Sequence, residues 1–458
     1  MQLFTQDDPR PLHFMGIGGA GMSALAQVAM RRGVAVTGCD THPGGAEELA
    51  RRGARIFSGH NASHVTGARA VIYTAAVSRE HEELQAARAL GVPVLRRAEA
   101  LQEVVSRGQV VAVAGTHGKT TTTAMTTEAL TAAGADPTGI AGGRVGIWDG
   151  NVRFGADGLF VVEADEYDRA FLSLYPTVAV VNNVESDHLE CYGSVEALEQ
   201  AFREFAGRAQ HVLVGDDPGA ERVARGLGAA VHRVGTADGA DIRLGAIRAE
   251  PRRSRARLAL PDGRTVDLAL AVPGVHNLRN AAMAVAVAYV LGHPVEPATA
   301  ALEHFPGVGR RFDVLGTRGG VTVVDDYAHH PTELAATLQA ARQRFPVARL
   351  VAVFQPHLFS RTAAMADAMG RALAAADVAV VTEVYPAREQ PIPGVTGELV
   401  AAAARAAGAA VVWAPVREEL AARVLELLNQ GDVVITIGAG DITEVGPDLL
   451  HRLAGTPA

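Results

Sequence analysis

From residue 10 to about 106, short apolar runs alternate with stretches whose apolar residues recur every three or four positions. "LHFMGI", "VAVTGC", "RIFSG", "AVIYTA" and "VPVLRR" read as strands, and "GMSALAQVAMRR" and "AEELARRG" as helices. Strands alternating with helices predict a parallel sheet covered on both faces. The pattern restarts at "VVAVAG" and continues through "LFVVEAD", "VAVVNNV" and "HVLVG". Between about 241 and 272 it changes, as "RARLALPDGRTVDLALAV" alternates with period two around a "PDGR" turn and predicts a hairpin. An alanine-rich helix, "GVHNLRNAAMAVAVAYVLG", follows, and "FPGVGRRFD" reads as a hinge. Beyond it, "VTVVDDYA", "LVAVFQP", "VAVVTEVY", "AAVVWAP" and "VVITIGAG" read again as parallel strands with helices between.

This pattern predicts an α/β chain of three domains. Residues 1–106 form a Rossmann-like domain. Residues 107–306 form a central P-loop ATPase-like domain with a parallel sheet and a small β part. Residues 307–458 form a second Rossmann-like domain. A length of 458 residues and a 48% hydrophobic content suffice for several cores. A net charge of −8 argues against a general nucleic-acid binder. No apolar run reaches the roughly 20 residues of a membrane span. The start, "MQLFTQDDPRP", has no basic or apolar leader pattern. The expectation is a cytoplasmic monomer or weak homodimer without nucleic-acid or membrane partners. Cys39 and Cys191 have no motif spacing, so the expectation for both is a small buried hydrophobe, with no disulfide framework and no zinc site.

Lysine occurs once, at Lys119, and the other 41 of the 42 basic residues are arginine. That lysine lies in "VAVAGTHGKTTTTAM", a strand, a glycine loop and a helix. In such a loop, backbone N–H groups and the helix N-terminus face an anion. Gly115, Thr116, His117, Gly118, Lys119, Thr120 and Thr121 are the candidate ATP cradle, with Lys119 on the β- and γ-phosphates and Thr120 on Mg²⁺. The spacing is the short Gly-x-x-Gly-Lys-Thr, because Val113 stands where the longer loop needs glycine. Glu163, Asp165 and Glu166 end one apolar strand, and Asp187 and His188 follow another. Carboxylates beyond parallel strands suit Mg²⁺, so Glu163 and His188 are its candidate ligands.

A second glycine loop lies near the start. "GIGGAGMS" fits Gly-x-Gly-x-x-Gly, with Asp40 19 residues beyond Gly21. Alone this fingerprint points to NAD.

Taken in order, "GIGGAGMSALA", "GTHGKTTT", "EADEYDRAF", "DHLE", "HNLRNAAMA", "GRRFD", "DDYAHHPTE", "FQPHLFSRT", "YPAREQPIPG" and "GAGDI" resemble the Mur ligases, the ATP-dependent amide-forming enzymes of peptidoglycan synthesis. Among them the chain is most similar to those that join L-alanine to UDP-N-acetylmuramate. The resemblance implies ATP and Mg²⁺ as cofactors and those two molecules as substrates. It assigns the first loop (Gly16, Gly18, Gly19, Ala20, Gly21, Met22 and Ser23) to the UDP-sugar diphosphate, with Asp40 on the uridine side. It places His276, Asn277 and Asn280 near adenine. It makes Arg311 a phosphate clamp that acts on domain closure, Asp326 the acid orienting it, and His329 or His330 the candidate base. His357 and Arg361 fall on the amino-acid side. Some relatives carry Arg where this chain has Leu358. Several bridge two metals with a carbamylated lysine, which this chain cannot do, because the loop uses its only lysine.

Three other readings compete. A family member that adds a preformed tripeptide to UDP-N-acetylmuramate shares the acidic and "DDYAHHP" textures, but its first loop differs. An NAD-dependent oxidoreductase accounts for the first loop and leaves the lone lysine unexplained. A non-catalytic nucleotide-binding regulator predicts no phosphate release.

Overall fold

The computed structural model describes residues 3–454. Its contacts divide the chain into two units. One holds the residues up to Gly245 with Leu258–Val266 and Arg279–Leu302. The other holds Ala246–Arg257, Asp267–Leu278 and the chain from Glu303 onward.

Three sheets carry the architecture, and the α/β reading with three domains holds. The first sheet runs Arg55–Ser58, Val36–Asp40, Leu12–Met15, Ala70–Tyr73, Val94–Arg96, all parallel. The strand order reverses beside Leu12–Met15, and the first glycine loop leaves from the C-terminal end of that strand. In open α/β sheets such a switch point forms the ligand crevice.

The second sheet has ten strands. In spatial order they are Thr265–Leu270, Arg253–Ala259, Ile242–Glu250, Ala230–Gly235, His211–Gly215, Val178–Val181, Gln109–Ala114, Leu159–Glu163, Thr138–Val145 and Gly150–Arg153. The strand leading to the second loop is buried from Val110 to Ala114, as a parallel strand covered on both faces must be. Arg253–Ala259 instead buries every second residue, which gives the expected period-two texture. The helix after the loop, Lys119–Ala132, is rich in threonine, a weak helix former. Burial of most of its residues offsets this. So do back-bonds within the helix, from Thr127 Oγ1 to the Thr123 carbonyl at 2.8 Å and from Thr131 Oγ1 to the Thr127 carbonyl at 2.7 Å.

The third sheet runs Asp313–Arg318, Val321–Asp326, Val433–Ile437, Leu350–Phe354, Val378–Val381, Val411–Trp413. Its five inner and far strands are the parallel ones expected. The edge strand Asp313–Arg318 is antiparallel and was not anticipated, because "DVLGTR" has neither an apolar run nor clean alternation. Glycine-rich Thr138–Val145 escaped for the same reason.

Candidate active site

The second loop is fixed by its neighbours before any ligand is considered. Gly115 has φ +136° and Gly118 φ +78°, a region glycine enters without strain. A Cβ on Gly118 would stand 2.6 Å from Asn280 Oδ1, so the Asn280 side chain lies directly against the loop. The Thr116 N–H donates to the Asn183 carbonyl at 3.1 Å, and the His117 N–H donates to Asn183 Oδ1 at 2.8 Å. Asn182 Nδ2 donates to the His117 carbonyl and to Thr122 Oγ1. The Glu185 N–H donates to Thr116 Oγ1 at 2.9 Å.

Lys119 folds back over this loop. Its Nζ donates to the Gly115 carbonyl at 2.7 Å, the Thr116 carbonyl at 3.2 Å and Glu166 Oε1 at 2.8 Å. Burial alone would lower its pKa. The charges of Glu166, Asp165 and Glu163 outweigh that and hold it above the ordinary ammonium value. Glu166 is 2% exposed, and its Oε2 is buried with no hydrogen-bond partner. An unpaired, buried carboxylate oxygen costs roughly 1–3 kcal/mol or more.

The three acids of the strand end have different tasks. Asp165 accepts from Arg97 Nη2 at 2.9 Å and from the Tyr167 N–H at 3.1 Å. Glu163 Oε2 accepts from the Gly142 N–H at 2.6 Å, and a Cβ on Gly142 would run into that carboxylate. His188 takes φ +54°, which turns its ring so that Nε2 lies 3.8 Å from Glu166 Oε1 and 3.7 Å from Asp187. Burial lowers the pKa of His188, but the hydrogen bond to Glu190 and the charges of Asp187 and Glu166 raise it overall.

In the first loop, the Gly16 and Ile17 N–H groups both donate to the Cys39 carbonyl, at 2.8 and 3.2 Å. Asp40 Oδ2 accepts from the Gly18 N–H at 2.9 Å, and Oδ1 from the His42 N–H at 2.9 Å. Its carboxylate therefore shapes the loop. The helix Ala20–Arg31 starts at Gly19 with no side-chain cap. Arg97 lies against Gly21, where a Cβ would stand 2.7 Å from Nη1, while its Nη2 pairs with Asp165. Asn151 donates to the Ala20 carbonyl and accepts from Gln27 at 3.2 Å.

The other unit holds a separate cluster. Asp326 accepts from the Phe312 and Ala328 N–H groups at 2.9 and 2.8 Å. Burial pushes its pKa up to about 6 against the pull of Arg311. Arg311 lies over the Tyr327 ring, 5.0 Å from its centroid, and 3.5 Å from Glu333. His330 caps the helix Pro331–Arg344, its Nδ1 accepting from the Thr332 N–H at 3.3 Å. A neutral ring bonded this way carries its proton on Nε2. His329 is the opposite case. Its Nδ1 lies 3.0 Å from the Tyr327 carbonyl, which only accepts, and 3.3 Å from Glu333 Oε2, so Nδ1 holds a proton. The His329 ring meets His357 edge-on, His357 stacks on Tyr385, and buried Arg361 sits 3.3 Å from His357 Nδ1. The Asn277 side chain donates to the Pro273 carbonyl at 2.7 Å, and the His276 ring packs over Gly274.

Comparison with known proteins gives the frame for these arrangements. Residues 11–109 match the Mur ligase family catalytic domain, 113–288 the Mur ligase middle domain, and 310–440 the Mur ligase glutamate ligase domain. A UDP-N-acetylmuramate–L-alanine ligase of Renibacterium salmoninarum is 45% identical over 98% of this chain and 96% of its own length. The chain belongs to the Mur ligase family. A second relative of the same name, from Streptomyces coelicolor, is 42% identical over 96% of this chain and 97% of its own. The crystal structure of the UDP-N-acetylmuramate-alanine ligase of Thermotoga maritima superposes with TM-score 0.83 at 30% identity, covering 97% of this chain and 99% of that one. A murein peptide ligase from Psychrobacter arcticus gives 0.73 at 26%, over 98% and 100%.

Within this Mur ligase chain, the structure brings Gly115–Thr121, Asn280, Glu163 and His188 into one region of a single unit. It brings Arg311, Asp326, His329, His330, His357 and Arg361 into one region of the other. Two groups escaped the sequence reading. Glu166 was one acid among three, and only its burial marks it as the partner of Lys119. Arg97 carries no sequence signal, because it is one of two adjacent arginines at a strand end.

Proposed function

We propose that Lys119, the Gly115–Thr121 loop, Glu163, Glu166 and His188 form the phosphoryl-transfer centre of an ATP-dependent ligase, and that the loop Gly16–Ser23 holds the UDP-sugar. The chain is a ligase that adds L-alanine to UDP-N-acetylmuramate in peptidoglycan synthesis. The tripeptide-joining alternative is not favoured, since relatives carrying the alanine-ligase name match at 40–45% identity over nearly the whole chain. The oxidoreductase and regulator readings fall with it. One observation carries the assignment of the centre: the single lysine sits in a glycine loop, paired to a buried carboxylate with one oxygen unsatisfied.

A carboxylate does not condense with an amine in water, because oxide is too poor a leaving group. The lactyl carboxylate of UDP-N-acetylmuramate attacks the γ-phosphorus of ATP, and ADP leaves. The amine of L-alanine then attacks the acyl phosphate, and phosphate leaves as the amide forms. Lys119 and the loop N–H groups are placed to spread the charge of the moving phosphoryl group. The orphaned Glu166 Oε2 fits a hard cation, so Glu163, Glu166, His188 and Thr120 are the residues to hold Mg²⁺. When bound, Mg²⁺ would neutralise β- and γ-phosphate charge. Asn280 flanks the same loop on the nucleotide side, with His276 and Asn277 assigned there by the family pattern. On the acceptor side, Arg361 offers the cation for the L-alanine carboxylate. Arg311, with Asp326 as its counter-charge, is the cation assigned to the phosphoryl group. His329, beside His357 and Arg361 on the acceptor side, is the candidate base for the amine, and His330 positions its helix.

The test is phosphate release from Mg·ATP and UDP-N-acetylmuramate with each amino acid in turn, and with L-Ala-γ-D-Glu-meso-diaminopimelate. Release should depend on L-alanine. Glycine and serine should be poorer by the 10–200-fold that one small group commands in such a pocket. Release driven only by the tripeptide would reverse the substrate assignment.

A further inference from the structure

The first sheet holds a set of side chains that the ligase chemistry does not use. His13, Cys39 and Glu83 are fully buried, and the His64 and His60 side chains are 13% and 21% exposed. One donor atom from each of His13, Cys39, His64 and Glu83 lies within 4.8 Å of every other. Cys39 Sγ is 3.5 Å from His13 Nε2, 3.2 Å from Glu83 Oε2 and 3.2 Å from His60 Nδ1. His60 Nδ1 is 3.1 Å from Glu83 Oε2. Ligands of a tetrahedral zinc ion, at about 2.0–2.3 Å from the metal, stand roughly 3.3–3.8 Å apart. Cys39 is thus buried in an apolar cluster with Met15, Val71 and Leu84, as its sequence suggested, but its thiol also meets these polar groups, whereas Cys191 is only half-buried.

The His13 ring is already aimed. His13 Nδ1 bonds Thr37 Oγ1 at 2.9 Å and so turns Nε2 toward the thiol, the outer hydrogen bond that metal-bound histidines commonly make. His64 is stacked on Phe57 at 4.1 Å with its Nδ1 2.7 Å from Glu83 Oε1, a hydrogen bond that metal binding would open, and the Asn61 N–H holds Glu83 Oε1 at 2.9 Å.

We propose that His13, Cys39, His64 and Glu83 bind one borderline divalent transition-metal ion of the zinc class, with His60 beside them. On binding, the Cys39 S–H bond breaks, its proton passes to solvent, and the thiolate electron pair forms the sulfur–metal bond. Two anionic and two neutral donors balance the double charge of the ion. Sulfur and imidazole donors discriminate against Mg²⁺, so this site is distinct from the phosphoryl-transfer centre. The site also bears on the first loop, since the Cys39 carbonyl holds Gly16 and Ile17 and the next residue, Asp40, holds Gly18. The role is to pin the strand end that shapes the loop.

The experiment is a Co²⁺ titration of the full-length chain, stripped with chelator under reducing conditions and followed by absorbance. One equivalent should bind with a thiolate-to-cobalt charge-transfer band that Zn²⁺ bleaches and Mg²⁺ does not. The band should persist in Cys191→Ser and vanish in Cys39→Ser. Should Cys39→Ser not fold, His64→Gln decides. It should keep the circular dichroism of the parent and bind Zn²⁺ at least tenfold more weakly. Absence of the band in the parent, its survival in folded Cys39→Ser, or unchanged Zn²⁺ affinity in His64→Gln would each overturn the proposal.

Discussion

Lys119 Nζ donates to Glu166 Oε1 at 2.8 Å, while the other oxygen of that buried carboxylate has no hydrogen-bond partner. The pair is poised for a further charge. Removing one member leaves the other buried and uncompensated, which costs about 3–5 kcal/mol. Lys119→Met should therefore lower stability by about that much in urea unfolding, and Lys119→Met/Glu166→Gln should recover most of it. Neither variant should regain turnover, which should stay at least about 10³-fold down. UDP-N-acetylmuramate affinity should stay within about twofold, because its loop lies elsewhere. A double variant as unstable as the single one would show that the pair is not coupled.

Gly142→Ala probes the metal side with little backbone strain, since Gly142 has ordinary φ but its Cβ would stand 2.6 Å from Glu163 Oε1. Displacing that carboxylate should raise the Mg²⁺ concentration for half-maximal phosphate release by about 10–100-fold. The KM for L-alanine should not move.

His329 and His330 should separate in a pH profile. His330→Asn keeps a capping side chain at the start of its helix and should retain the acid limb of kcat/KM. His329→Gln should remove that limb and lower kcat about 10²–10⁴-fold. Loss of the limb in His330→Asn alone would exchange their roles.

Asp326 sets a pH dependence of stability. Its native pKa is raised from 3.8 to about 6. The native state therefore binds more protons than the unfolded chain between those values, and stability falls as pH rises through the window. Relative to Asp326→Asn, the parent should lose up to about 3 kcal/mol between pH 4 and 7. An unchanged difference across that range, measured by denaturant titration, would show that the carboxyl titrates normally.

The inner strands of the three sheets were legible because parallel strands buried on both faces are apolar runs, as "VVAVA" and "VAVV" show, whereas Asp313–Arg318 and Thr138–Val145 carry no such run. The glycine loops were legible because their spacing reports a backbone shape. What stayed hidden depends on contacts across the chain. Asp40 reads as a ligand-binding acid, and its bonds to the Gly18 and His42 N–H groups, which shape the loop, have no sequence signal. His329 and His330 are adjacent and chemically identical, and only their hydrogen bonds distinguish them. Cys39 meets His13, His64 and Glu83 because parallel pairing sets Leu12–Met15 beside Val36–Cys39 and the segments after them close over one sheet face. No spacing rule announces that.

The most direct test of the division between the two loops is a crystal structure of the full chain with UDP-N-acetylmuramate and a non-hydrolysable Mg·ATP analogue. The triphosphate should lie on the N–H groups of Gly115–Thr121, with the Lys119 ammonium moved from the Gly115 carbonyl onto the β- and γ-oxygens and the sugar diphosphate at Gly16–Ser23. A triphosphate lodged at Gly16–Ser23, or Lys119 still bound to Gly115 and Glu166 beside an occupied nucleotide site, would contradict it.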